Sequence, residues 1–136
     1  MNYRLLEHTA DMGIEVTGNT LEELFFAAAL GLREIVFGDQ AVEGGQEEFP
    51  VEVLGGDAEE LLVNWLNELL FLMQDRSVFP RDFHLRLTDE QHLRGRVLGF
   101  SRPCIEPVRE VKAATFHQLN ITQRNGRWQS RIYVDL

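Results

Sequence analysis

The segment from His8 to Asp11 carries an imidazole and a carboxylate three residues apart, with small residues between them. It lies between two predicted strands, so a turn there would place both side chains on one rim. An imidazole and a carboxylate on one rim could serve a metal site or a catalytic site. Alternatively, Asp11 bonds its own backbone, as aspartates in turns commonly do. The spacing alone leaves both roles open.

A second acidic position lies at the end of the chain. Asp135 is the penultimate residue, directly beside the free carboxylate of Leu136. Two neighbouring negative groups repel each other unless a cation or a basic side chain compensates them. A frayed, solvated terminus is the alternative. Because Ile132 and Val134 have the pattern of core residues, we expect the terminus to be held in place.

Lys112 and His117 lie in the segment VKAATFHQL, which leads into the last predicted hairpin. A lysine at such a place is ordinarily a solvated charge. A histidine on an apolar face is more often a core residue than a ligand. The segment therefore offers candidates and does not by itself identify a site.

Several kinds of site are excluded by their missing motifs. The chain has no phosphate-binding glycine loop, no dinucleotide fingerprint and no G-x-S-x-G nucleophile turn. Its one cysteine, Cys104, has no evident local base and can form neither an internal disulfide nor a cysteine zinc cluster. What remains is oxygen ligands, which predict at most a calcium- or magnesium-type site.

The charge is distributed unevenly along the chain. The formal net charge is −9, and residues 1–60 hold 14 of the 22 acidic residues but only two of the 13 basic ones. Such a chain is not expected to bind nucleic acid strongly, because that needs dense positive charge. The acidic half suits a cationic protein surface or a hard cation, or simply keeps the protein in solution.

Length and hydropathy predict one cytoplasmic domain over residues 1–136. The longest apolar run, residues 61–73, is interrupted by polar residues and is shorter than the roughly 20 residues that a membrane span needs. The first residues lack the basic and apolar pattern of a secretion signal.

Two helices are predicted from capping signals and apolar spacing. Thr20 and Asp57 are good N-cap residues, and each is followed three residues later by a glutamate. Gly38 follows the first helix, where a positive φ is often needed. The second helix is apolar over most of its circumference, so protein should surround most of it.

The clearest strand signal is the dipeptide Asn125-Gly126, the preferred pair for a two-residue hairpin turn. This turn predicts a register with His117 opposite Val134 and Phe116 opposite Asp135. His117 would then face the core, and Asp135 would lie on the other face of the sheet. With the earlier alternating segments, the pattern predicts an α+β fold, in which two helices pack on a predominantly antiparallel β-sheet in a single two-layer domain.

Five segments occur in an order that resembles the archease family. They are HTADMGI, GNTLEELFFAAALGL, EELLVNWLNELLFL, VKAATFHQL and YVDL. Together they extend over nearly the whole chain, and five ordered segments are far more specific than any one of them. The resemblance adds little over residues 39–48 and 76–104.

The resemblance implies an accessory protein with no enzymatic activity of its own. Archeases assist the RtcB-type RNA-splicing ligase, which joins RNA ends with GTP and manganese through a histidine–guanylate intermediate. They promote that guanylylation and repeated turnover of the ligase. Here this implies a part in tRNA splicing or RNA repair.

The resemblance also implies site residues. The family's metal ligands correspond to Asp11, Asp135 and Leu136, with calcium as the expected ion and magnesium or manganese as alternatives. Lys112 corresponds to the family's functional lysine, and His8 and His117 are the further candidates for assisting the partner.

Two other functions remain possible on the sequence. A metal-dependent hydrolase or nuclease using His8 and Asp11 would turn over RNA or a nucleotide by itself. A general protein-binding module without metal chemistry would bind its partner even after chelation and neutralisation of both aspartates.

Overall fold

Seven strands and two α-helices make up the fold, which we describe from a computed structural model over residues 1–7, 10–40, 44–101 and 106–136. The strands are β1 (Asn2–Glu7), β2 (Asp11–Gly18), β3 (Glu47–Leu54), β4 (Val78–Asp89), β5 (His92–Ser101), β6 (Ala113–Arg124) and β7 (Arg127–Asp135). The helices are α1 (Leu21–Phe37) and α2 (Ala58–Leu70), and a π-helical turn, Phe71–Asp75, continues α2.

The strands form two antiparallel sheets. One has the order β1-β2-β7-β6, and the other has the order β3-β5-β4. Each helix contacts strands of both sheets, and the buried residues form one hydrophobic cluster. The predicted α+β class with antiparallel pairing is confirmed, but the expected single sheet is two sheets. Which strands share a sheet depends on contacts between distant segments, and local patterning does not encode these.

Both helices begin where the capping signals predict. The Thr20 hydroxyl accepts from the Glu23 N–H at 3.1 Å, and the Asp57 carboxylate accepts from the Glu60 N–H at 2.8 Å. Gly38 ends the first helix with a φ of 74°, a left-handed conformation that glycine adopts at little cost. These ends are fixed by local chemistry, which is why sequence alone locates them.

The second helix is largely buried, as its apolar circumference predicts. Trp65 is fully buried, and its indole N–H donates to the Phe25 carbonyl of α1 at 3.2 Å. Its ring meets Phe83 of β4 edge-on, with 5.9 Å between ring centroids. In the described residues, no helix is long and apolar enough to cross a membrane.

The last hairpin departs from its predicted register partway along. The turn at Asn125-Gly126 is confirmed, with φ of 53° and 77° at its two residues. Further along, the four residues 116–119 of β6 lie opposite the single residue Ile132. This bulge shifts every later pair of the ladder.

Two predicted pairs are therefore wrong. Asp135 lies opposite Ala113 instead of Phe116, and Val134 lies opposite Ala114 instead of His117. The prediction assumed an uninterrupted ladder, and nothing local to residues 116–119 announced the extra residues. Asp135 is nevertheless exposed while Val134 is buried, so the predicted orientation of Asp135 away from the core is confirmed.

Candidate functional site

The two aspartates singled out from the sequence lie directly opposite each other. Asp11 begins β2, Asp135 ends β7, and they are register partners in this antiparallel pair. Such partners project from the same face of a sheet, with Cβ atoms about 4.5–5.5 Å apart. Within the described residues, no basic side chain forms an ion pair with either carboxylate. We call Asp11, Asp135 and Leu136 the acidic tip.

The end of the chain is held beside this pair. The Leu136 N–H donates to the Ala10 carbonyl at 3.3 Å, and the Leu136 side chain packs against the hydrophobic core. On the other side, the Asp135 carbonyl accepts from the Lys112 N–H at 2.8 Å. Backbone bonds to two neighbouring segments argue against a frayed terminus. They hold the backbone of the acidic tip in place.

Amide side chains from the second helix and its π-helical turn place the segment that carries Lys112. The Asn67 carbonyl oxygen accepts from the Ala114 N–H at 2.8 Å. The Gln74 amide donates to the Val111 carbonyl at 2.8 Å and accepts from the Val111 N–H at 2.9 Å. Val111 is buried, so the exposed Lys112 between these anchors is held close to Asp135 through its backbone.

Gln74 reaches Val111 from the π-helical turn, Phe71–Asp75. The Arg76 N–H donates to the Phe71 carbonyl at 3.1 Å, five residues back, where an α-helix would bond four residues back. Turns of this kind are rare and often lie at functional sites. The positioning roles of Asn67 and Gln74 were missed from sequence, although a polar residue on an otherwise apolar helix was the available signal.

Of the two candidate histidines, only His117 lies among the described residues. His8 lies outside the described residues. His117 is exposed, so its predicted place on the core face is wrong. Its ring meets the ring of Tyr133 edge-on at 5.7 Å between centroids, and the His117 backbone N–H donates to the Thr115 hydroxyl at 3.2 Å. The bulge in β6 causes this change, because it moves His117 out of the regular ladder.

A glycine makes room for Tyr133 next to the acidic tip. Gly13 is the register partner of Tyr133, one pair along from Met12 and Val134. A Cβ built on Gly13 would lie 3.0 Å from Cε1 of Tyr133 and 3.3 Å from Cβ of Leu6. Real Cβ atoms are rarely so close to a neighbour, so the ring occupies the space that a side chain at position 13 would need.

The next acidic residue along β2 is already paired. Glu15 accepts from Arg131 at 2.7 Å and from Arg4 at 2.9 Å. The hydrogen bond from Arg131, followed by the charge of Arg4, holds the pKa of Glu15 below its usual range. Glu15 is therefore a compensated charge, in contrast to the two aspartates of the acidic tip.

The donor set of the acidic tip suits a hard cation. Carboxylate and carbonyl oxygens are the ligands that Ca²⁺ and Mg²⁺ prefer. Among the described residues, no three histidine, cysteine, aspartate or glutamate side chains are grouped as a metal site. Two aspartates would thus need backbone oxygens, such as that of Leu136, and water to complete the coordination. This set fits one calcium or magnesium ion.

Comparison with known proteins agrees with the resemblance of the five segments. Residues 3–136 match the profile of the Archease protein family (MTH1598/TM1083). The chain is 38% identical to protein archease of Pyrococcus furiosus in an alignment of 136 positions that covers 96% of this chain and 95% of that protein.

Two solved structures have the same fold. The solution structure of Methanobacterium thermoautotrophicum protein 1598 superposes with a TM-score of 0.76 at 30% identity, covering 98% of both chains. A Thermotoga maritima archease, described as a possible chaperone, superposes with a TM-score of 0.64 at 21% identity, covering 98% of this chain and 96% of that one.

Proposed function

The chain belongs to the archease protein family, and on that premise we propose that it is an accessory protein of an RtcB-type RNA-splicing ligase. In this role it promotes guanylylation of the ligase histidine and repeated turnover in tRNA splicing or RNA repair. It has no catalytic activity of its own. The description of the Thermotoga relative as a possible chaperone is in keeping with a helper protein.

One observation carries the proposal. Asp11 and Asp135 are register partners at one end of the central strand pair β2–β7, and the Lys112 N–H donates to the Asp135 carbonyl at 2.8 Å. Two strands and the segment before a third thus bring an acidic pair and the backbone of the exposed Lys112 together. An accessory protein needs such an arrangement if it is to enter a partner's positively charged, metal-containing cleft.

Each residue of this region has a separate task in the proposal. Asp11 and Asp135, with Leu136, hold a divalent ion, which supplies positive charge that offsets the crowded carboxylates and attracts phosphate oxygens. Lys112 offers an ammonium group to the phosphates of GTP as the ligase binds it. Asn67 and Gln74 keep the Lys112 backbone in place, so the ammonium begins from a defined position.

The test is guanylate transfer to a cognate ligase under multiple-turnover conditions. Three variants, Asp11→Asn, Asp135→Asn and Lys112→Ala, are each compared with the native chain. Glu90→Gln is the control, because Glu90 is an exposed acid in the turn between β4 and β5. We expect the three variants to lose most of the stimulation and the control to retain it.

Other results would overturn the proposal. Full stimulation by all three variants would remove the acidic tip from the mechanism. Stimulation that survives chelation of divalent ions and neutralisation of both aspartates would favour a binding module without metal chemistry. Turnover of RNA or a nucleotide by the isolated protein with added metal would favour a hydrolase.

A further inference from the structure

The face of the four-stranded sheet from which the register partners Glu15 and Arg131 project is here called the outer face. It carries charged, polar and aromatic groups that are not part of the acidic tip. We propose that this face, over the β6–β7 hairpin, binds single-stranded RNA. The proposal goes beyond assistance to a ligase and does not depend on it. It rests on the charge, the polar groups and the exposed rings of the face.

Charge separates this hairpin from the rest of the molecule. Residues 111–134 contain no aspartate or glutamate, although the whole chain has 22 of them. The same stretch has four basic residues, Lys112, Arg124, Arg127 and Arg131. The net charge of −9 predicts no strong binding by the chain as a whole, but it does not describe this face.

The outer face has almost no free negative charge away from the acidic tip. Glu15 is the one acidic residue among the described outer positions of β2 and β7 between Asp11 and the hairpin turn. It is held by Arg4 and Arg131 at 2.9 and 2.7 Å. Because two arginines share this one carboxylate, the group keeps a net positive charge, which phosphates could approach.

A polar cleft of about 430 Å³ lies on this face across β2, β7 and β6. Amide and hydroxyl side chains line much of it, namely Thr17, Gln118, Asn120, Thr122 and Gln129. These groups both donate and accept hydrogen bonds, so they match the mixed donors and acceptors on the edges of unpaired bases. An acidic protein surface fits this cleft less well than RNA does. Its carboxylates only accept hydrogen bonds, so the acceptors of the cleft would find no donors.

The bulge in β6 also exposes two rings that directly precede Gln118 of the cleft in the chain. Phe116 is 56% exposed, and the exposed His117 ring rests edge-on against Tyr133 of the same face. Gln118 follows with a φ of 54°, a left-handed conformation that costs a residue other than glycine free energy. Strained, exposed positions are retained where they have a use. Rings beside a basic, amide-lined cleft are the usual platform on which single-stranded bases stack.

The opposite sheet provides a matched comparison. On its outer face Arg94 and Arg96 bind Glu52 and Glu48 at 2.7 and 2.8 Å. Arginines there are compensated, whereas Arg124 and Arg127 at the hairpin turn have no carboxylate partner within the described residues. A double arginine variant on either sheet changes the net charge of the protein by the same amount. A difference in RNA affinity between the two variants therefore reports where RNA binds and not the overall charge.

The experiment measures fluorescence anisotropy of a labelled single-stranded RNA of about ten nucleotides, a length within the range that small sheet folds cover. The native chain is compared with Arg124→Gln/Arg127→Gln and with Arg94→Gln/Arg96→Gln over a series of salt concentrations. For the hairpin variant, we expect the slope of log affinity against log salt to shrink by about 0.7 for each phosphate that the two arginines bind. For the other double variant, the slope should stay unchanged.

A second variant tests the rings. Phe116→Ala/His117→Ala should weaken RNA binding about fivefold or more without changing the salt slope, because stacking involves no phosphate. Circular dichroism checks that each variant is folded. The proposal is overturned if the native chain does not bind the RNA at low salt, or if both arginine variants lose affinity equally. It is also overturned if polyglutamate binds the hairpin face as tightly as RNA does.

Discussion

The side chain of Gln74 pairs with the backbone of Val111 as a neighbouring strand would. It donates to the Val111 carbonyl at 2.8 Å and accepts from the Val111 N–H at 2.9 Å. Val111 is 1% exposed, so water cannot replace these bonds. The next residue is Lys112, and the pairing thus links the π-helical turn to the candidate site.

Removing this pairing should destabilise the protein. We expect Gln74→Ala to lower the free energy of unfolding by about 1–3 kcal/mol, because two buried backbone groups are left without partners. Gln74→Glu should also be destabilising, because it keeps an acceptor for the Val111 N–H but replaces the donor to the Val111 carbonyl by a carboxylate oxygen. Urea denaturation measures both, with the exposed Gln123→Ala as control. An unchanged unfolding midpoint in Gln74→Ala would show that the pairing contributes nothing.

Much of the fold could be predicted from sequence where it depends on near neighbours. Thr20 and Asp57 cap their helices because a side-chain oxygen meets an N–H three residues on. The Asn125-Gly126 turn forms because both residues tolerate a positive φ. Each of these features involves four residues or fewer, so a short pattern contains all the necessary information.

Other features depend on distant contacts and could not be predicted in this way. The bulge at 116–119 sets the partner of Asp135, because it shifts every pair of the ladder beyond it. The convergence of Asp11 with Asp135 followed from the family resemblance and from the alternation of β7, although the predicted partner on β6 was wrong. Gln74 went unnoticed because its role depends on a π-helical turn that has no simple sequence signal.

The Tyr3 hydroxyl should resist ionisation. It donates to Glu34 at 2.7 Å, and burial, followed by this hydrogen bond, raises the pKa of Tyr3 to about 12. A raised pKa means that the contribution of Tyr3 to stability is fully present below its ordinary value of 10.0 and is lost as pH rises towards 12.

Ultraviolet absorbance of tyrosinate tests this prediction, because the chain has only two tyrosines. The titration of Tyr3 is measured in the Tyr133→Phe variant, and that of Tyr133 is measured in the Tyr3→Phe variant. Glu34→Gln should lower the pKa of Tyr3 only in part, since burial is the larger cause. Ionisation of Tyr3 near its ordinary pKa in the native chain would contradict the prediction.

The loss of thermal stability at low pH should depend in part on Glu15. Because Arg131 and Arg4 lower the pKa of Glu15, its contribution is present above the ordinary value of 4.5 and is lost as pH falls below it. Glu15→Gln should therefore make the loss of thermal stability below pH 4.5 shallower. The effect is small, since these side chains are partly exposed and solvent screens them. A profile identical to that of the native chain would rule out the linkage.

A methyl group at position 13 should disturb the site through Tyr133. We expect Gly13→Ala to lower the free energy of unfolding by about 1–3 kcal/mol, because the new Cβ would lie 3.0 Å from the Tyr133 ring. Gly45→Ala is the matched control, since a Cβ there meets nothing within 4 Å. Thermal unfolding compares the two variants. Equal stability in both would mean that the ring of Tyr133 moves aside at no cost.

Calcium should stabilise the protein through the acidic tip. A ligand that binds only the folded chain raises the free energy of unfolding by about 2.7 kcal/mol at a hundred times its dissociation constant. We therefore expect calcium to raise the melting temperature of the native chain and of Glu90→Gln, and to leave that of Asp11→Asn and Asp135→Asn nearly unchanged. Without calcium, both aspartate variants should be at least as stable as the native chain, because each removes the repulsion between facing carboxylates. If calcium raises the melting temperature of all four chains equally, it binds elsewhere.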